Sequence, residues 1–275
     1  MIFSNILPSA AVLLSLATLA VSHMEMIQPP PRRSKYNPTF DETPDYNMVN
    51  PLGVYPCKGY GQGKVVQTVK AGDAISVKLN GIATHSGGHC QFAVSYDGGD
   101  TFVVLSTIYN NCIIDSLDYS VTIPATAGSS KDVVFAWAWI NKIGYREYYM
   151  NCADIEIKGS DNGYITGPEL LVVNLPGYPT IPEFPQDGPN DGRDLLAARP
   201  TITIRPSTPT TSTETSGPTP TPDTGICSGV PAWNAAAIYN KSQRCTYDGH
   251  LWEAQWWTQD HTPGSDGTWL DLGEC

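Results

Sequence analysis

The clearest pattern along the chain is an alternation of apolar and polar side chains that predicts β-strands. Residues 74–80 alternate in this way, and residues 91–96 and 102–109 flank an Asp-Gly-Gly-Asp turn at 97–100. In residues 132–141 both faces are apolar, which is typical of a central strand between two packed layers. One face carries Phe135, Trp137 and Trp139, and the other carries Val134, Ala136, Ala138 and Ile140. The pattern predicts an all-β fold, an immunoglobulin-like or fibronectin-like β-sandwich.

Composition divides the chain into four segments. Residues 1–22 lack charged side chains and end in small residues, which predicts a cleaved signal peptide, with an uncleaved signal anchor as the alternative. Residues 23–180 form the predicted β domain, residues 181–226 a Ser-, Thr- and Pro-rich linker, and residues 227–275 a small β module. Cleavage after residue 22 would release a secreted protein, in which disulfides are the expected state of the cysteines.

The charge balance excludes one class of partner. The chain has 275 residues and a formal net charge of −11. Nucleic-acid binding needs clustered Lys and Arg, so we expect no nucleic-acid partner. Beyond residues 1–22 no stretch is apolar enough to span a bilayer, so we expect no membrane partner. We also expect the protein to be a monomer.

Seven cysteines leave at least one thiol without an intramolecular partner. Cys90 and Cys112 lie on either side of the Asp-Gly-Gly-Asp turn, so a hairpin would bring them together. The other two cysteines of the first domain, Cys57 and Cys152, would then form a second disulfide. A third disulfide, between Cys227 and Cys275, would join the two ends of the terminal module. The predicted disulfides are Cys90–Cys112, Cys57–Cys152 and Cys227–Cys275, which leaves Cys245 as the unpaired thiol.

Three histidines occur in the first domain after the predicted cleavage site, and two of them suggest a metal site. His23 would carry both an α-amine and an imidazole, so it can chelate a metal. His85 lies in a Gly-rich turn at 83–88, which we expect to expose its ring on a flat surface, where it would supply a third nitrogen. Three nitrogens in a T arrangement suit Cu(II). From spacing alone, a chance terminal histidine and an unrelated loop histidine explain the pattern equally well.

Several stretches resemble the fungal lytic polysaccharide monooxygenases of auxiliary-activity family eleven. They are His23-Met24-Glu25-Met26, ATHSGGHCQ at 83–91 and NKIGYREYYMNCA at 141–153, and GPELLVVNL at 167–175 is similar to the family's closing strand. The resemblance covers roughly residues 23–178. It implies a copper enzyme that cleaves β-1,4 bonds of crystalline chitin by oxidation at C1 or C4. An external electron donor and O2 or H2O2 would be its co-substrates.

The resemblance also implies roles for individual residues. His23 and His85 would form a histidine brace around one copper ion. Tyr149 would close one axial side of the copper, and Ala83 would crowd the other. Glu147 would be the acid that hydrogen-bonds oxygen species at the metal.

Two of these roles have plain structural alternatives. Tyr149 could fill the core, and Glu147 could pair with Arg146 or Lys142. His89 departs from the family pattern, and we interpret it as a surface histidine at a strand edge, since the neighbouring glycines argue against a helical metal pair.

The terminal stretch TYDGHLWEAQWWTQDHTPGSDGTWLDLG at 246–273 resembles the small chitin- and cellulose-binding modules of carbohydrate-binding families five and twelve. Aromatic rings stack on the apolar faces of sugars, so exposed tryptophans predict a binding surface. We expect Trp256 and Trp257 to form it, with Trp233 as a further candidate. Strand alternation would turn one of the adjacent pair inward.

Two other functions are compatible with the sequence. A glycoside hydrolase would use paired carboxylates, which the acidic residues of the first domain could supply, although no glycosidase motif is present. A secreted protein with the same histidine brace could instead bind chitin or copper without catalysis.

Overall fold

The computed structural model describes residues 23–39, 43–184, 191–206, 226–227, 230–235, 238–239, 243–255 and 258–275, except for the side chains of residues 23, 238 and 259. The predicted signal peptide, most of the Ser-, Thr- and Pro-rich segment, and Trp256 and Trp257 lie outside these residues. The chain divides into two compact units, one up to residue 209 and one from residue 210. Within the described residues, no helix is both long and apolar enough to span a membrane.

The regular secondary structure in the described part of the first unit is almost wholly β-strand. The strands are β1 His23–Gln28, β2 Gln67–Lys70, β3 Ala74–Ala83, β4 Gly88–Ser95, β5 Val103–Ile108, β6 Asp118–Thr122, β7 Ser130–Asn141, β8 Tyr148–Lys158, β9 Ile165–Pro168 and β10 Thr201–Ile204. A 3-10 turn at Cys57–Gly59 and the short helix α1, Arg193–Ala198, complete the elements.

Two sheets pack face to face in this unit. The smaller is antiparallel in the order β1-β3-β6, and the larger has the order β2-β8-β7-β4-β5, with only β2 parallel to its neighbour. Met26 and Val77 of the smaller sheet share one core cluster with Phe92 and Trp137 of the larger sheet. The prediction of an all-β sandwich is confirmed.

Strand β7 lies inside the larger sheet, as its two apolar faces predict. Its face with Phe135, Trp137 and Trp139 is buried against the smaller sheet. Its other face, with Ala136 and Ile140, is covered by side chains from the irregular chain at 170–184. Both faces are therefore removed from water, which is why the strand needs no polar face.

Residues 191–204 belong to the first unit, although composition placed them in the linker. Strand β10 pairs antiparallel with β9, with Ile204 opposite Ile165. Helix α1 buries Leu196. Because Leu196 and Ile204 are buried, the unit extends well beyond residue 180. The expected closing strand at 167–175 is instead mostly irregular chain that buries Leu170 and Val173.

Two side-chain links and several backbone hydrogen bonds hold the irregular chain between β1 and β2 against β8. The disulfide Cys57–Cys152 is one, and the ion pair of Arg32 and Asp154 is the other, with Nη2 and Oδ1 2.5 Å apart and both side chains buried. A buried pair of this kind is costly to break singly, because the remaining charge would lose its partner. The chain that follows β1 is thus held against the larger sheet.

The cysteines pair as the sequence predicts. The three disulfides join Cys57 to Cys152, Cys90 to Cys112 and Cys227 to Cys275. Cys245 is the remaining free thiol and is buried, and burial raises its pKa to about 11. A thiol with a raised pKa in an apolar setting is unreactive, which fits a packing role.

The second unit is a small β module, as predicted. Its strands are β11 Ile238–Tyr239, β12 Arg244–Tyr247, β13 His250–Ala254, β14 Thr258–Gln259 and β15 Trp269–Glu274. One sheet has the order β12-β13-β15, and β11 pairs with β14. In its described part, Tyr239, Cys245, Ala254 and Trp269 form the core.

Candidate metal site

Backbone register brings the start of β1 beside the turn that carries His85. The Cα of His23 pairs with that of Ala83, two residues before His85. Strand β1 is also held from the larger sheet, because Asn151 Oδ1 accepts a hydrogen bond of 2.8 Å from the backbone N–H of Met26. The ring of His23 lies outside the described side chains. The half-buried Ala83 is the last residue of β3 and lies directly opposite the proposed terminal ligand.

The ring of His85 is held by the loop at 142–147. Its Nδ1 lies 2.6 Å from the carbonyl oxygen of Ile143, and the backbone N–H of Ile143 donates to the carbonyl of His85. The residue is 9% exposed, so the expectation of an exposed ring on a flat surface is wrong. The physical reason is that the loop after β7 folds over the turn, where the Lys142 N–H donates to the carbonyl of Gly87.

The other ring nitrogen of His85 is left facing the site. Because the Ile143 carbonyl can only accept, Nδ1 carries the proton in the neutral ring, and Nε2 has the lone pair. This Nε2 is buried and has no hydrogen-bond partner among the described residues. It lies 4.0 Å from Oε2 of Glu147. A buried, unpaired nitrogen is unfavourable, and a metal ion would satisfy it.

Tyr149, on β8, contacts the Glu147 carboxylate that lies near this nitrogen. The hydroxyl of Tyr149 donates a short hydrogen bond to Oε2 of Glu147. The Tyr149 ring is buried and packs on Trp139, with ring centroids 4.7 Å apart. Tyr149 therefore fills core and also reaches the site, so the two interpretations of this residue are compatible.

Arg146 forms no hydrogen bond with the Glu147 carboxylate in the described structure, although the two charges attract each other. Its guanidinium donates to backbone carbonyls instead, among them those of Ile181 and Gly144 at 2.8 and 3.1 Å. The side chain of Glu147 stays 23% exposed. The carboxylate is therefore accessible at the edge of the site and is oriented by Tyr149.

His89 is a buried structural residue, so its interpretation as a surface histidine is wrong. It is fully buried in β4, and its ring stacks on Phe184 with centroids 4.8 Å apart. Its Nδ1 accepts from the backbone N–H of Asn110, and its Nε2 donates to the carbonyl of Asp191 at 2.8 Å. Burial lowers the pKa of His89 below its usual value. Phe184 and Asp191 both contact this ring, and these long-range contacts have no local sequence signal.

Sequence reasoning missed the residues that build the loop around His85. Asn141, Ile143 and Gly144 place no ionisable group in the site, so a search for catalytic side chains passes over them. The available signal was a polar residue, Asn141, at the end of an otherwise apolar strand.

In the second unit, Trp233 is only partly accessible. Its ring packs edge-on against Tyr247, with centroids 5.4 Å apart, and its Nε1 is buried without a partner in the described part of the chain. Trp252 packs beside it on the same core. The predicted pair Trp256 and Trp257 lies outside the described residues.

Comparisons with known proteins find relatives of both parts of the chain. A family model, Carbohydrate-binding module family 5/12, matches residues 232–270. "AA11 family lytic polysaccharide monooxygenase A" of Aspergillus fumigatus is 38% identical over 174 residues, which cover 58% of this chain and 77% of that protein. "Endoglucanase A" of Evansella cellulosilytica is 40% identical over 47 residues, 16% of this chain and 9% of the endoglucanase. The alignment with the crystal structure of HiLPMO9B covers 51% of this chain and 78% of that chain, with 13% sequence identity. Its TM-score of 0.35 supports no conclusion.

A β-sandwich followed by a carbohydrate-binding module defines the chain as a carbohydrate-active protein. The identity and coverage shared with the Aspergillus fumigatus relative show more: the chain belongs to the AA11 family of lytic polysaccharide monooxygenases. It is therefore a copper-dependent enzyme that cleaves polysaccharide by oxidation.

Proposed function

We propose that the enzyme is secreted and cleaves β-1,4 bonds of crystalline chitin at C1 or C4, with an external electron donor and O2 or H2O2. The observation that carries this proposal is the buried, unpaired Nε2 of His85, 4.0 Å from the Glu147 carboxylate. Secretion is supported by the uncharged, apolar composition of residues 1–22.

Copper would be held by three nitrogens, the α-amine and ring of His23 and Nε2 of His85. Removal of residues 1–22 would create this amine at the start of β1, opposite Ala83. The Ile143 carbonyl supports the assignment, because a hydrogen bond to the far nitrogen of a ligating histidine fixes the ring and its tautomer. When bound, copper supplies the one-electron chemistry that activates O2 or H2O2.

The remaining residues would orient and protect this centre. Tyr149, buried against Trp139, would close one side of the site and exclude water there. Glu147 would hold or deliver a proton at Oε2, the oxygen that accepts from the Tyr149 hydroxyl. Its partial exposure would let the carboxylate serve the open side of the site.

The substrate is proposed from two surfaces. Ile82 and Tyr145, on the two segments that flank His85, are 89% and 68% exposed and would rest on a flat polymer face. The match to a carbohydrate-binding module supports an insoluble polysaccharide. The choice of chitin over cellulose rests on the family resemblance, because modules of this type bind either polymer.

The test uses secreted protein whose first residue is verified as His23. We expect about one copper ion per chain, and soluble products with oxidised ends that form from chitin only when a reductant is present. The His85→Ala variant should lose tight copper binding and oxidised products, yet still be pulled down by chitin through its terminal module.

Each contrary result identifies another function. Products without oxidised ends that form without reductant would indicate a hydrolase. Copper binding and chitin pulldown without any cleavage would indicate a non-catalytic protein. Equal cleavage by wild type and His85→Ala would exclude the histidine brace.

A further inference from the structure

Asn141, the last residue of β7, uses its whole side-chain amide within the loop that surrounds His85. The residue is fully buried. Its Nδ2 donates to the carbonyls of Ile143 at 3.0 Å and Tyr145 at 2.6 Å, and its Oδ1 accepts from the backbone N–H of Glu147 at 3.2 Å. One side chain therefore bonds the middle and the end of the loop.

The first of these bonds reaches the proposed copper ligand through a shared acceptor. The Ile143 carbonyl accepts from Asn141 Nδ2 and from His85 Nδ1. A carbonyl has two acceptor sites, so the two donors occupy them together. Asn141 thus holds in place the oxygen that orients the His85 ring and keeps its proton on Nδ1.

The third bond fixes the backbone from which the Glu147 carboxylate extends. Glu147 is also held from the other side, because the side-chain amide of Asn174 donates to its carbonyl at 3.1 Å. Both backbone groups of Glu147 are thus bonded, and its Oε2 lies 4.0 Å from His85 Nε2.

We propose that Asn141 is a positioning residue that couples the His85 ring to the Glu147 carboxylate. Its buried amide is fully used within the loop, so it acts through the Ile143 carbonyl and the Glu147 backbone. This inference rests on the proposed copper site, but its geometry belongs to the metal-free protein and is testable there.

The chemistry of the amide makes Asn141→Asp an informative change. Aspartate has nearly the same shape and can still accept from the Glu147 N–H. A carboxylate oxygen cannot donate, so it would face the carbonyls of Ile143 and Tyr145 without a hydrogen bond. The Ile143 carbonyl should then turn away, and His85 Nδ1 should lose its fixed acceptor.

Asn37 provides a matched control far along the chain from the loop. It is also buried, its Nδ2 donates to the carbonyls of Pro31 and Pro30, and its Oδ1 accepts from the backbone N–H of Thr39. Asn37→Asp therefore repeats the same chemical change without touching His85 or Glu147.

Two measurements separate positioning from plain stability. In the copper-free protein, 15N NMR of the His85 ring should show the proton on Nδ1 in wild type and in Asn37→Asp, and mixed tautomers in Asn141→Asp. In the copper-loaded protein, Asn141→Asp should alter the Cu(II) EPR spectrum and weaken copper binding about 10- to 100-fold. Asn37→Asp should keep the wild-type spectrum and affinity even if its melting temperature falls.

If Asn141→Asp does not fold, Asn141→Ser replaces it, because a hydroxyl can donate to one of the two carbonyls. It should give the same changes in smaller degree. A wild-type tautomer and EPR spectrum in the Asn141 variant would overturn the inference. Failure of the proposed copper site is distinct: wild type would then bind no copper tightly, while the tautomer difference between the two aspartate variants would persist.

Discussion

Gly144 marks how closely the loop approaches His85. Its φ of +92° is a backbone conformation that glycine adopts readily. A Cβ at this position would lie 2.7 Å from Nδ1 and 2.9 Å from Cε1 of His85. The backbone N–H of Gly144 donates to Glu183 Oε1, so the loop is fixed from its outer side as well. The ring and the loop therefore have no free space between them.

Replacement of Gly144 by alanine should displace the His85 ring. We expect Gly144→Ala to lose about 1–2 kcal/mol of unfolding free energy from its positive φ. It should also bind copper more weakly, because the ring must move. Gly98→Ala is the control, since Gly98 has φ +80° and nothing within 4 Å of its added Cβ. Urea unfolding and calorimetric copper titration measure the two effects. Equal copper affinities in the two variants would contradict the close contact.

Sequence patterns predicted the strands better than they predicted the arrangement of the loop around His85. The two apolar faces of β7 and the hairpin of β4 and β5 follow from local alternation. Residues 201–204 also alternate, but four residues beside a Pro-rich stretch are too short a signal, and their partner β9 lies far back in the chain. The arrangement of Asn141, Ile143 and His85 depends on the path of a loop, which residue types alone do not specify.

Helix α1 and the chain before it are attached to the sandwich through His89. Asp191 accepts from the His89 ring through its carbonyl, and its carboxylate pairs with Arg193 at 2.8 Å. Arg193 in turn lies over the ring of Tyr109. The charged groups that interact with His89 are Asp191, Arg193 and Lys142. Burial has the largest effect on the pKa of His89 and lowers it. The ring keeps both of its hydrogen bonds only when it is neutral, because Nε2 donates to Asp191 while Nδ1 accepts from the backbone N–H of Asn110.

This requirement predicts a loss of stability in acid. The pKa of His89 is lowered by burial in the folded protein, whereas the unfolded chain should titrate near 6.5. As the pH falls below about 6.5, protons bind the unfolded chain first, so the free energy of unfolding decreases until the folded pKa is passed. Urea unfolding at pH 7.5 and pH 5 should show a smaller decrease for His89→Gln than for wild type. The control is His261→Gln, because this histidine lies in the second unit and its replacement should leave the unfolding of the first unit unchanged. An unchanged pH dependence in His89→Gln would show that His89 does not titrate as expected.

At the scale of the whole molecule, the chain separates the proposed chemistry from polymer binding. The two units have separate cores, and their disulfides do not cross between them. The sequence between them is rich in Ser, Thr and Pro. A module bound to the polymer would keep the first unit near its substrate without adding any contact at the metal.

Removal of the second unit should therefore reduce turnover only when substrate is scarce. A chain that ends at residue 206 should keep the copper affinity and EPR spectrum of the full chain, because residues 23–204 contain the whole described site. On dilute chitin its rate of oxidised product release should fall several-fold, since each encounter with the polymer is shorter. At high chitin loading the two rates should converge.

The full chain at each loading is the control, and release of oxidised ends is the measurement. Equal rates at every loading would show that the module does not tether the enzyme, whereas a changed EPR spectrum would show that it contributes to the metal site.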